Sequence, residues 1–88
     1  MALTLDEAAR AGALAAAVVA IDEAISGLNA RISEGAEITS MIAQLATGNS
    51  VRAEMPMSAQ ESASVFDAVL TILRAKRAGL MAALDAIS

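Results

Sequence analysis

The sequence contains no cysteine, histidine, tryptophan or tyrosine, and it has a single phenylalanine and a single proline. Without Cys or His, the chain cannot assemble a Cys/His zinc site, a Ser-His-Asp or Cys-His nucleophile pair, or an imidazole pH switch. No disulfide can staple the fold. With Phe66 as the one aromatic residue, stacking platforms for bases and cages for quaternary ammonium groups have nothing to be built from. Positive charge is scarce as well. Six Lys and Arg stand against ten Asp and Glu, a net charge of −4, which disfavours duplex nucleic acid and anionic membrane as partners. General acid/base chemistry near neutral pH is hard to build from carboxylates and one lysine, so the chain is expected not to be an enzyme and to need no cofactor or metal.

What is present is aliphatic. Of 88 residues, 57% are hydrophobic, and that length implies one domain, residues 1–88, with one core. A chain of this size buries only about 60–65% of its unfolded surface, so a homo-oligomer is the expected source of further stability. The longest apolar run, Ala11 to Ile21, is preceded by Asp6 and Glu7 rather than by a basic segment. Asp22 and Glu23 close it well short of the roughly 20 residues of a membrane span. A cytoplasmic protein with no membrane partner is expected.

The patterning predicts a mostly α protein. Thr4 and Glu7 form a T-x-x-E capping box, so a helix is expected over residues 5–33. Along it Leu14, Val18, Ile21, Ile25, Leu28 and Ile32 recur in alternating steps of four and three, a heptad seam. Gly12 and Gly27 read as marks of close helix contacts, and Gly35 as the C-cap. A second box, Ser58 with Glu61, starts a helix expected over 59–87, with Phe66, Leu70, Leu73, Arg77, Leu80, Leu84 and Ile87 as its seam. Val65, Val69 and Ile72 add a second apolar stripe beside that seam. This helix is expected to bury two faces, one on the first helix and one on another subunit. Val65, Phe66, Val69, Ile72 and Leu73 are the candidate oligomer interface.

Residues 38–57 differ from both helices. Val51, Ala53, Met55 and Met57 alternate with Arg52, Glu54 and Pro56, and Gly48 and Asn49 in TGNS tolerate positive φ, which favours a short β-hairpin. The segment IAQLA equally suits a helical or irregular arm. Pro56 is expected to end pairing or to sit on an edge. Met41, Met55 and Met57 would fill a core or spread an adaptable apolar surface over the helices.

Charge is unevenly placed. All of the net negative charge lies before Ser58, whereas the remainder is balanced and carries Arg74, Lys76 and Arg77 within four positions. None of Glu61, Asp67 and Asp85 stands three or four residues from any of these cations. In an antiparallel hairpin with the helix ends level, Arg77 would face Leu14 and Ala15, where no acid is found. The cluster is then expected to be solvated, to meet Asp22 or Glu23 of another subunit, or to hold a small anion. Asp22 and Glu23 diverge by about 100° on a helix and cannot share a proton or one metal ion. Ser58, Ser62 and Ser64 have no base to activate them. TGNS lacks the lysine of a phosphate-binding loop and reads as a turn.

In format, across the whole chain, the sequence resembles the small helical orphan proteins encoded by phages that act as nucleotide sponges. That resemblance implies a non-catalytic homo-oligomer in a bacterial host cell, holding a nucleotide-like signal between subunits. Arg74, Lys76 and Arg77, with Thr39, Ser40 and Asn49 from ITS and TGNS, would be the ligand-binding residues. The rival expectation is a structural or assembly protein that docks a protein partner through the apolar face of the second helix.

Overall fold

The computed structural model describes residues 3–87 and has two long helices joined by a two-stranded antiparallel sheet: α1 (Leu5–Ser33), β1 (Ser40–Gln44), β2 (Ser50–Glu54) and α2 (Ala59–Ile87). Both helices begin at the predicted capping boxes. Thr4 Oγ1 accepts the Glu7 N–H at 3.1 Å while Glu7 Oε1 accepts the Thr4 N–H at 3.1 Å. Ser58 and Glu61 exchange the same pair of bonds at 3.1 and 3.0 Å. At the other end of α1 the C-cap is Glu34 rather than Gly35. Gly35 follows it at φ 70°, donating to the Ile32 carbonyl, and Ala36 donates to the Arg31 carbonyl. This Schellman geometry explains why glycine stands one position past the cap.

The helices pack along the two predicted seams. The half-buried and buried residues of α1 include Leu14, Val18, Ile21, Ile25, Leu28 and Ile32, and those of α2 include Phe66, Leu70, Leu73, Arg77, Leu80, Leu84 and Ile87. Only Val18, at 8% exposure, and Leu70, at 2%, are buried apolar side chains among the described residues. Gly12 and Gly27 do not mark close contacts: a methyl group added at either would meet nothing within 4 Å.

The hairpin is strand-paired over its predicted stretch, with Ser40 opposite Glu54, Ile42 opposite Arg52 and Gln44 opposite Ser50. Its turn is closed by the Gly48 N–H on the Leu45 carbonyl (2.9 Å) and the Leu45 N–H on the Asn49 carbonyl (2.7 Å). Gly48 takes φ 93°, and Asn49 keeps a negative φ. One left-handed residue after a tight turn suffices to reverse the chain. Beyond the strands, Met55 and Met57 still donate to the Thr39 and Ile38 carbonyls, and Pro56 falls between them where no N–H is required.

Sheet and helices do not pack on one another; the close approaches are helix to helix and strand to strand. Met41 therefore neither fills a core nor covers the helices, and it is exposed on the hairpin. The molecule extends 53 × 33 × 15 Å with a radius of gyration of 17.0 Å, where a compact chain of this length has about 12 Å. A thickness of 15 Å is little more than one helix.

Among the described residues, α1 is long and apolar enough to cross a membrane, with an 18-residue stretch of mean hydropathy 1.6. A stretch that avoids Asp6, Glu7, Arg10 and Arg31 lies between Ala11 and Ala30 and necessarily includes Asp22 and Glu23. Each would cost about 2.5–3.5 kcal/mol near the centre of a bilayer.

Candidate functional site

The basic cluster lies halfway along α2, and the helix itself prevents its three cations from converging. At about 100° per residue, Arg74 and Arg77 stand about 60° apart, whereas Lys76 points about 160° away from Arg74. Arg77 occupies the seam, and its Nε donates to Asp22 Oδ1 of α1 at 2.6 Å.

This corrects the expected register. Arg77 does not face an acid-free stretch of α1, and its partner is Asp22 of the same chain rather than of another subunit. A helical side chain leans toward its own N terminus. In an antiparallel pair, that lean carries the guanidinium toward the later residues of α1. Both side chains remain nearly half exposed, so the pair is a rim contact worth about 0–1 kcal/mol. Arg74 and Lys76 have no hydrogen bond or ion pair among the described residues.

The hydroxyl and amide candidates lie elsewhere. Thr39 and Asn49 are exposed, with their carbonyls engaged in the hairpin, and Ser40 is half-buried at the start of β1. The root of the hairpin is fixed at Ser62, whose Oγ accepts the Ile38 N–H at 2.7 Å. Ser62 precedes Arg74 by roughly 18 Å of helix axis. Within one chain, Thr39, Ser40 and Asn49 therefore do not share a pocket with the cations.

Ser62 is the structural residue that sequence reasoning passed over. It is 0% exposed and sits one turn before Phe66, so it continues the α2 seam with a small polar side chain. A hydroxyl at a seam position must be hydrogen-bonded. That requirement was the available signal, but it did not name the partner.

Of the candidate interface residues, Val65, Phe66 and Leu73 are half-buried, and Phe66 and Leu73 belong to the seam. Val69 and Ile72 are exposed, Ile72 at 56%. Glu61 is held below the usual glutamate range, first by the Ser58 backbone N–H and then by the Ser58 hydroxyl, against a small opposing effect of burial. No group of three carboxylates that could hold a metal ion occurs among the described residues. Comparison with protein-family models, curated proteins and solved structures finds no match to this chain.

Proposed function

We propose that the chain is a non-catalytic homo-oligomeric interaction protein, working on the water side of any membrane, whose action is exerted through faces of its helices. The observation that carries this reading is the surface one chain leaves bare. It exposes 6284 Å², whereas a compact monomer of this mass exposes about 4,800 Å². Stable domains have at least two packed layers around a core, and this chain has a single helix layer with two buried apolar side chains. The stripe Val65, Val69 and Ile72 is the natural surface for closing such a layer on another copy.

Native mass spectrometry tests the reading, with a defined oligomer expected. A monomer at micromolar concentration would overturn it. Replacing Val69 and Ile72 together by lysine, which leaves every α1–α2 seam residue unchanged, should dissociate the assembly, and an unchanged oligomer would remove α2 as the docking face.

A second reading, in which the assembly also holds a small anion such as a nucleotide between subunits, is supported by Arg74 and Lys76, the two α2 cations without partners among the described residues. It predicts an adduct of several hundred daltons on the native oligomer, lost in Arg74→Ala. Equal binding of nucleotides by the variant and its parent would exclude it.

A further inference from the structure

The hairpin is two-faced. Antiparallel register places Met41, Ala43, Val51 and Ala53 on one side, and Ser40, Ile42, Gln44, Ser50, Arg52 and Glu54 on the other. The first side is wholly apolar, and all four of its residues are exposed. The second is polar but for Ile42 and carries the Arg52–Glu54 ion pair at 3.1 Å. Apart from Ile42, which is 68% exposed on the polar side, this is the pattern of a strand pair with one covered and one wet face. Neither helix of the same chain covers the apolar side. An isolated two-stranded hairpin is marginally stable in water, and it needs a third strand or a helix packed on its apolar face.

The chain has a second apolar surface partly open to water, the Val65, Val69 and Ile72 stripe of α2, with Ile72 56% and Val69 36% exposed and Val65 half-buried. The two surfaces match in kind. Neither contains a charge, and the stripe spans about 11 Å of helix axis against about 17 Å for a five-residue strand. A helix on a sheet face is an ordinary layer pairing. The two do not meet within the chain in this structure, where the hairpin, rooted by the Ile38 N–H on Ser62 and the Met57 N–H on Ile38, stands clear of both helices.

We propose that the apolar face of the hairpin lies on the Val65/Val69/Ile72 stripe of a second copy of this chain, in a reciprocal pair related by a two-fold axis. One symmetry operation then covers both bare surfaces twice, whereas hairpin-on-hairpin packing would leave the helix stripes open. The area of the whole chain leaves room for such a pair: it exceeds that of a compact monomer by roughly 1,500 Å², comparable per copy with what obligate homodimers bury, and the two faces are part of that excess. The inference rests on the homo-oligomer reading and adds which surfaces meet.

The test uses the absence of cysteine from the chain. Two full-length variants of distinguishable mass, Ala43→Cys and Ile72→Cys, are mixed, allowed to exchange subunits and treated with a short bismaleimide. The expected product is the mixed covalent dimer. A covalent dimer from Ala43→Cys alone would instead place hairpin on hairpin and overturn the proposal. As a second measurement, Met41→Asp with Val51→Asp should raise the concentration for half-dissociation at least 100-fold, while the variant assembled at high concentration keeps the parent's helicity. Parent-like assembly of that double variant overturns the proposed contact and leaves the oligomer reading standing, whereas a parent that is itself monomeric removes both.

Discussion

Ser62 is where a single side chain fixes the relation between the helices and the hairpin. It is fully buried, and its Oγ at 2.7 Å from the Ile38 nitrogen satisfies a part-buried donor that belongs to no helix or strand. Replacing it by alanine keeps the seam apolar and small but leaves that N–H without an acceptor, a loss of about 1–3 kcal/mol. The urea midpoint of Ser62→Ala should fall accordingly, and an unchanged midpoint would show that the Ile38 N–H is solvated. The Arg77–Asp22 pair behaves differently, despite its short 2.6 Å contact. Both groups retain water, so Asp22→Asn should shift stability by no more than about 1 kcal/mol, with the difference shrinking in molar salt. A larger, salt-independent loss would mean that assembly buries the pair.

The elements are set by caps. At the start of α2, Glu61 accepts the Ser58 N–H, and this bond holds the Glu61 carboxyl below the usual range. Because the folded value is the lower one, the cap contributes stability above the unfolded glutamate pKa and loses it as pH falls through the folded value. Glu61→Ala should therefore be less stable than the parent at neutral pH, and the two should converge on acidification below the ordinary carboxylate range; a pH-independent gap in thermal melts would argue against this linkage. The capping boxes, the heptad seams and the period-2 strand were legible in sequence because each follows from local geometry: two residues three apart, a stripe recurring every three or four, an alternation. The register between helices was not. Arg77 pairs with Asp22 across the two helices, 55 positions away in sequence, and no local pattern encodes that. Likewise the direction in which Val51 faces was readable from alternation, whereas that of Met41 was not, because Met41, Ile42 and Ala43 are all apolar, and the emptiness beside them depends on the hairpin standing clear of both helices.

At the scale of the whole molecule, the chain is one layer thick, and its stability should be inseparable from its concentration. With only two apolar side chains buried among the described residues, a single chain has little core to set against the conformational entropy of folding. If folding and association are one event, the unfolding equilibrium includes a concentration term, and each tenfold dilution removes about 1.4 kcal/mol from the assembled state. With the usual unfolding entropy per residue, that is a fall in Tm of about 3–4 °C per tenfold dilution for a dimer of this chain. The Met41→Asp/Val51→Asp variant, with the hairpin face made polar, should melt lower than the parent and fall by the same roughly 3–4 °C per tenfold dilution. Calorimetry over two decades of protein concentration separates this from a self-sufficient monomer, in which neither the parent's Tm nor the variant's would move with dilution.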